Sequence, residues 1–259
     1  MSKFKKEKRG QTMKKRLSLM IRRNILRVPY MLLRMILFAE NDKVSVEKKF
    51  DLIREIGERG CKSGNVNIHG YGIENFPKES GYIMYPNHQG LFDVMGLVYL
   101  DPAPFGVIIK KETEDIYLLR KLIHLMGGMF MDRNDVKQGL TVINAVADEV
   151  KNGRNFLIFP EGTRSKNGNK LGDFKGGSFK AATKAKCPIV PIAIIDSYLP
   201  FDISSTKPVD VQLHILPPIT YEEYKGMKTA EIADIVKERI EQVIAENENN
   251  FSNEALKNA

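Results

Sequence analysis

The chain has 259 residues, 42% of them hydrophobic, which is enough for one large α/β domain or for a domain with an appendage. Its two cysteines, Cys61 and Cys187, share no short spacing, which argues against a disulfide framework and against a zinc site. The net charge of +8 is unevenly placed, since residues 1–39 carry +11 and the remainder sums to −3. The basic character therefore belongs to the N-terminus and not to the body of the chain.

Residues 1–40 are predicted to form a basic, amphipathic, helical segment that associates with a membrane. Pro29 is expected to divide it into two helices. Interruptions by arginine leave no apolar run long enough to span a bilayer. Four arginines share one face of the helical wheel and are expected to meet anionic phospholipid headgroups: Arg16, Arg23, Arg27 and Arg34. The alternative is a helix packed on the domain with a solvated basic face.

Residues 41–259 are predicted to form a single domain. Apolar runs of strand type alternate with amphipathic helical stretches. Strands are expected at 66–69, 81–84, 105–111, 129–131, 156–159, 188–195 and 209–215. Helices are expected at 45–59, 94–100, 115–126, 136–151 and 175–186, and from residue 229. The alternation indicates an α/β fold with a central, mostly parallel or mixed sheet flanked by helices, preceded by the amphipathic segment.

The stretch from Tyr85 to Asp93 joins a predicted strand to a predicted helix, a junction where open sheets bind ligands. His88 and Asp93 are five residues apart, so they would face away from each other if both were helical. They can meet only if His88 lies in the turn and Asp93 in the first helical turn. A carboxylate that accepts from one imidazole nitrogen leaves the other free to take a proton, so the pair is a candidate general-base dyad.

Three more predicted strands end in charged or glycine-rich turns. These turns are Lys110-Lys111-Glu112, Asp132-Arg133 and Glu161-Gly162-Thr163-Arg164. Lysine and arginine recognise phosphate through charge-assisted hydrogen bonds. Each turn alone is most simply a charged surface loop, but strand ends that converge on one edge would combine a base with several anion-binding groups.

Four stretches resemble the glycerolipid acyltransferase family, in the family's order, over roughly residues 66–220. Residues 87–93, Asn-His-Gln-Gly-Leu-Phe-Asp, resemble its H-x4-D motif, and residues 159–165 match its F-P-E-G-T-R-S block. Residues 128–133 resemble the block that ends in Asp-Arg, and residues 190–194 resemble the late apolar block. Within the family the chain is most similar to the bacterial 1-acyl-glycerol-3-phosphate acyltransferases.

The resemblance implies an O-acyltransferase of phospholipid biosynthesis. It would transfer a fatty acyl group from a thioester, acyl-coenzyme A or acyl carrier protein, to the hydroxyl of lysophosphatidic acid, giving phosphatidic acid. No cofactor, metal or nucleic acid is implied. The implied location is the cytoplasmic face of the cell membrane, with peripheral or monotopic attachment.

By the same analogy His88 deprotonates the acceptor hydroxyl and Asp93 orients His88. The amide of Gly90, or one at the helix start after it, is expected to stabilise the oxyanion. The expected substrate-binding residues are Lys110, Arg133, Glu161, Gly162, Thr163 and Arg164.

Three alternatives remain open from the sequence. The acceptor is glycerol-3-phosphate, another lysophospholipid or a lyso-ornithine lipid in related branches. A non-catalytic, basic membrane-binding protein would explain residues 1–39 but not the strand-end motifs. A hydrolase would use the same dyad to activate water on a thioester.

Overall fold

The computed structural model describes residues 15–101 and 103–251. Within these residues seven strands form one sheet. The strands are β1 (Val66–Tyr71), β2 (Ile83–Pro86), β3 (Phe105–Lys110), β4 (Met129–Met131), β5 (Asn155–Leu157), β6 (Ile189–Ile195) and β7 (Val209–Ile215). Each predicted strand is present, and no strand end differs from its predicted position by more than two residues.

The sheet has the order β1-β7-β6-β2-β5-β3-β4. The five strands from β6 to β4 pair in parallel, whereas β7 is antiparallel to β6 and parallel to β1. The predicted α/β fold with a mostly parallel or mixed sheet is therefore confirmed. All residues of β2 and of β6 are buried, because both strands are covered on two faces, as is typical of central parallel strands.

The helices of the described residues are α1 (residues 15–23), α2 (Val28–Ala39), α3 (Val46–Ser63), α4 (Asp93–Leu100), α5 (Tyr117–Met126), α6 (Val136–Lys151), α7 (Lys180–Ala185), α8 (Leu199–Asp202), α9 (Tyr221–Tyr224) and α10 (Thr229–Asn247). Short 3-10 turns cover Ile73–Asn75, Lys111–Thr113 and Gly176–Phe179. The predicted helix at 175–186 thus begins as a 3-10 turn and becomes α-helical at Lys180.

Two hydrophobic cores lie on the two faces of the sheet. Alternate residues of β2 serve different cores, with Met84 in one and Ile83 and Tyr85 in the other. The first core contains side chains of α2, α3, α4 and α5, and the second those of α6, α7 and α10. The carboxyl ends of β2 to β6 meet at one edge of the sheet, between the two cores.

The N-terminal helices pack on the domain. Residues 24–27 form a turn, and α2 begins beside Pro29, so the predicted break is confirmed. The helices are anchored at the edge where β1 and β7 start, since Arg16 donates to the carbonyls of Gly64 and Lys207 and Arg23 donates to Ser63. Because these strands run opposite to β2–β6, their starts share the edge with the carboxyl ends of those strands.

These contacts correct the predicted use of the arginines. Arg16 is 1% exposed, so it cannot reach a headgroup, and burial lowers its pKa to about 10, which still leaves it charged at neutral pH. Arg34 pairs with Glu55 at 2.7 Å. The helical wheel predicted that these arginines share one face. It could not predict the backbone carbonyls and the carboxylate that bind three of them. Arg27 is exposed, as predicted.

The outer surface of α1 and α2 is apolar. No helix among the described residues is long and apolar enough to cross a bilayer. The buried side chains of the two helices are mainly Met20, Met31 and Met35. Large exposed apolar side chains, which we call the outer apolar face, are Leu17, Ile21, Ile25, Leu26, Tyr30, Leu33, Ile36 and Leu37. An exposed apolar surface of this extent marks an interaction site.

We expect Arg16→Ala to lower the free energy of unfolding by about 1.5–3 kcal/mol, because two backbone carbonyls would lose a charged donor. The exposed neighbour Arg22 is the matched control, since Arg22→Ala removes the same charge without a buried contact. Urea denaturation followed by circular dichroism measures both. Equal midpoints for the two variants would contradict the anchoring role of Arg16.

Candidate active site

The turn after β2 is organised around the carboxylate of Asp93. Asp93 is the first residue of α4 and is fully buried. Its Oδ2 lies 2.8 Å from Nδ1 of His88 and accepts hydrogen bonds from the amides of Gln89, at 2.8 Å, and Gly90, at 3.0 Å. His88 lies in the turn and Asp93 in the first helical turn, which is the arrangement that their spacing requires.

This contact fixes the chemistry of the imidazole. A carboxylate that also receives two amides is an acceptor, so Nδ1 of His88 carries the proton. Nε2 is then left with a free lone pair and can accept a proton from a hydroxyl. The His88 side chain is 16% exposed and lines a cavity, so a substrate can reach it.

Glu161 holds the same turn from the side of β5. Its Oε1 accepts from the amide of His88 at 2.7 Å, and its Oε2 from the amide of Gly172 at 2.9 Å. Burial raises the pKa of Glu161, and the two amides oppose that rise. Both oxygens are engaged with backbone, and Glu161 lines neither of the cavities described below. Its contacts are those of a positioning residue, not of the substrate contact expected from the sequence.

Polar side chains of the turn also bind the end of β6 and the segment after it, a set of contacts that sequence reasoning missed. Asn87 exchanges two hydrogen bonds with the backbone of Ile194, at 2.9 and 2.7 Å. Gln89 accepts from the amide of Ser197 at 2.8 Å and donates to Asn169 at 2.9 Å. Asn169 belongs to a turn at residues 167–169 that reads as a loop in the sequence, and its partner Asp196 fixes it further.

A cavity of about 390 Å³, the first cavity, opens beside His88 on the face of the first core. Its floor and walls are apolar side chains of α3, α4, α5 and β3, among them Ile53, Ile56, Val94, Val98, Leu119, Leu122 and Met126. Phe159 stacks on the imidazole with ring centroids 4.0 Å apart. His88 therefore stands at the polar end of an otherwise apolar space.

The polar end of the first cavity carries three cations. The predicted residues Lys110, Arg133 and Arg164 line it together with Thr163. Lys110 forms an exposed ion pair with Glu112, and burial lowers the pKa of Arg133. The sheet thus brings together the groups predicted at four strand ends. Gly162 lies on the other side of Phe159, with φ at +68° in the turn.

Arg164 is positioned by an acid that the sequence did not reveal. Its Nη1 lies 3.5 Å from Oδ1 of Asp202, at the end of α8. The Asp202 side chain is only 16% exposed, so it holds the guanidinium near the first cavity. A lone aspartate in a four-residue helix carries no sequence signal for this role.

Of the two expected oxyanion donors, the structure corrects the Gly90 amide, whereas an amide at the helix start stays a prediction. The amide of Gly90 already donates to both oxygens of Asp93, at 3.1 and 3.0 Å, so it supports the dyad instead. Within the described ranges, no three His, Cys, Asp or Glu side chains are grouped closely enough to hold a metal ion.

A family model and the curated relatives of this chain indicate the same protein family. A protein-family model described as "Acyltransferase" matches residues 67–195. The 1-acyl-sn-glycerol-3-phosphate acyltransferase of Salmonella typhimurium is 32% identical over 165 residues, which are 63% of this chain and 67% of that protein. The alpha enzyme of the same name from Mus musculus is 30% identical over 177 residues, and the match spans 66% of this chain but only 61% of the mouse protein.

A solved structure shares the fold. The crystal structure of the 1-acyl-sn-glycerophosphate acyltransferase from Thermotoga maritima superposes with a TM-score of 0.72 at 23% identity. The match covers 91% of this chain and 98% of that one, so the likeness extends beyond the region of the family model.

Gly90 tests the packing of the turn. A Cβ at this position would lie 3.2 Å from the carbonyl oxygen of Ser197 and 3.3 Å from Cα of Tyr198, both of which are backbone atoms. We expect Gly90→Ala to lower the free energy of unfolding by about 1–3 kcal/mol, the usual cost of overpacking. Gly177→Ala is the control, because a Cβ there meets nothing within 4 Å. Thermal denaturation that ranks the two variants equally would contradict this packing.

Proposed function

Because this chain belongs to the acyltransferase family, we propose that it transfers a fatty acyl group from an acyl thioester to the free hydroxyl of 1-acyl-glycerol-3-phosphate, giving phosphatidic acid. One observation carries the proposal: the His88–Asp93 pair stands where an apolar cavity meets three cations. The names of the Salmonella and mouse relatives support the same acceptor.

The reaction needs one base and no covalent intermediate on the protein. Nε2 of His88 takes the proton of the acceptor hydroxyl as its oxygen attacks the thioester carbonyl. The tetrahedral intermediate then collapses, the carbon–sulfur bond breaks, and the thiolate leaves. The imidazolium, stabilised by Asp93, returns the proton to the thiolate, so the products are an ester and a free thiol.

The first cavity suits the two ends of a lysolipid. Its apolar walls fit an acyl chain, since burying each methylene is worth about 0.8 kcal/mol. At its polar end Arg164, Lys110 and Arg133 are suited to the acceptor phosphate, because arginine and lysine form charge-assisted hydrogen bonds with phosphate oxygens. A lysolipid without a phosphate could not form these charge-assisted hydrogen bonds.

Membrane attachment through the outer apolar face is part of the proposal. The N-terminal helices are anchored at the edge of the sheet that holds His88, so a bilayer on their outer side lies close to the site. The apolar side chains would enter the acyl boundary, and exposed Arg22 and Arg27 would meet anionic headgroups. A peripheral or monotopic enzyme on the cytoplasmic face, with a segment boundary near residue 40, remains our prediction.

Acyl transfer is tested with purified protein, acyl-coenzyme A or acyl carrier protein, and a panel of acceptors on vesicles, with products identified by mass. We expect phosphatidic acid from lysophosphatidic acid. His88→Ala should lower turnover by about a hundred- to ten-thousand-fold, the usual effect of removing a general base. The exposed His124→Ala is the matched control and should retain activity.

Other outcomes identify the alternatives. Preferred use of glycerol-3-phosphate or of a lysolipid without a phosphate would replace the proposed acceptor. Release of free fatty acid at saturating acceptor would indicate a hydrolase. Unchanged turnover in His88→Ala would refute the dyad.

Attachment is tested by vesicle flotation of the Ile25→Ser, Leu26→Ser double variant. Leu26 is 92% exposed and Ile25 60%, so burial in a bilayer is the main effect of these side chains. We expect about a hundredfold weaker partitioning, from roughly 3 kcal/mol of lost burial. Ile73→Ser is the control, because Ile73 is an exposed apolar residue that follows β1 at the opposite edge of the sheet. If the double variant floats as well as Ile73→Ser, the outer apolar face is not the anchor.

A further inference from the structure

A second cavity of about 290 Å³ lies across Phe159 from the first. Its floor is formed by the ends of β3, β4 and β5, one wall by the start of α6, and the other by residues 175–180. It lies on the face of the second core, as its lining residues Ile108, Ile143 and Ile158 show.

The two cavities share part of their lining beside the proposed base. Ile108, Arg133 and Phe159 line both of them, and Phe159 stacks on His88. Gly162, in the turn that also carries Glu161, lines the second cavity. A molecule held there is therefore separated from the imidazole by one aromatic ring.

The second cavity combines positive charge with apolar surface. Lys175 and Lys180 line one wall, and neither forms an ion pair within the described part of the chain. The two carboxylates of the lining accept backbone amides of their own loop, Asp132 from Asn134 and Asp135 from Lys137 and Gln138. The facing wall exposes Val136, at 84%, and Leu140, at 45%.

The two cavities also lie on opposite faces of the sheet. The first is walled by α3, α4 and α5, and α2 packs on α3 and α5, so this cavity lies on the side of the outer apolar face. The second is walled by α6 and by residues 175–180, which include Lys175 and Lys180, on the opposite face of the sheet. A lipid acceptor and a water-soluble donor would reach His88 from these two sides without crossing.

We propose that the second cavity binds the phosphopantetheine arm of the acyl donor. This inference rests on the proposed acyl transfer. Lys175 and Lys180 bind phosphate of the donor, Val136 and Leu140 contact its alkyl and amide chain, and its thioester reaches His88 past Phe159. When the acceptor oxygen attacks the carbonyl, the carbon–sulfur bond breaks, and the free thiol stays on the arm and leaves with it. Coenzyme A and acyl carrier protein share this arm, so either can be the source.

The test is a kinetic comparison of the wild-type protein, the Lys175→Gln, Lys180→Gln double variant and the control Lys225→Gln, which changes an exposed lysine that pairs with Glu222. We expect the donor KM to rise roughly tenfold or more in the double variant, as for a lost charge-assisted hydrogen bond to phosphate. The acceptor KM and kcat should stay within about twofold. The wild-type protein and both variants should use a phosphate-free acyl thioester of N-acetylcysteamine equally well, because this donor has no phosphate for the two lysines to bind.

Separate arms with acyl-coenzyme A and acyl carrier protein identify the source, since only the true donor should show the full KM effect. A rise in the acceptor KM instead, or an equal loss with the phosphate-free thioester, would overturn the inference.

Direct binding separates this inference from the proposed function. Calorimetry with free coenzyme A and with holo acyl carrier protein needs no turnover. Weaker binding of either one to the double variant supports the assignment, and equal binding of both to all proteins overturns it. If one of them binds the double variant more weakly than the wild-type protein but no acyl group is transferred, the proposed function fails while the binding site stands.

Discussion

The arrangement of this protein depends on a buried carboxylate that is fully supplied with donors. Asp93 has no exposed surface, and a charge in such a place is stable only when it is paired. Its donors all come from three consecutive residues, His88, Gln89 and Gly90, so pairing the charge also shapes the turn. Glu161 acts in the same way from the neighbouring strand. The proposed base is thus held at its ring by one carboxylate and at its backbone by another, and neither is left to contact a substrate.

Because the sheet is mixed, the turn that carries His88 lies at an edge between two different helix layers. Five parallel strands bring the turns after β2 to β6 to one edge, and the reversed β7 and β1 bring the anchor of α1 to the same edge. The edge separates two helix layers with different character. One layer supports the outer apolar face and the first cavity, and the other supports the lysines of the second cavity. A reaction between a lipid and a soluble thioester fits such a boundary.

Local patterns in the sequence predicted the elements and the dyad but not the long-range polar contacts. The apolar runs at 81–84 and 188–195 predicted strands, and the five-residue spacing required the geometry of His88 and Asp93. The burial of Arg16 was not predictable, because an amphipathic pattern contains no information on the carbonyls of Gly64 and Lys207. The contact of Gln89 with Asn169 joins residues far apart in the chain, so neither side chain signals it alone. The engagement of the Gly90 amide likewise depends on the exact fold of the turn.

The polar contacts of the turn also determine when it can form. His88 bonds a residue 73 positions later, and Asn87 and Gln89 bond residues 107 and 108 positions later. Contacts of such high sequence separation close late in folding, because chain entropy opposes them until the rest of the sheet has formed. During synthesis the turn must therefore wait for residue 197 to leave the ribosome. Until then the nascent chain contains the proposed base but lacks the hydrogen-bond partners that hold its turn in place. Activity would therefore be expected only from chains that have finished folding.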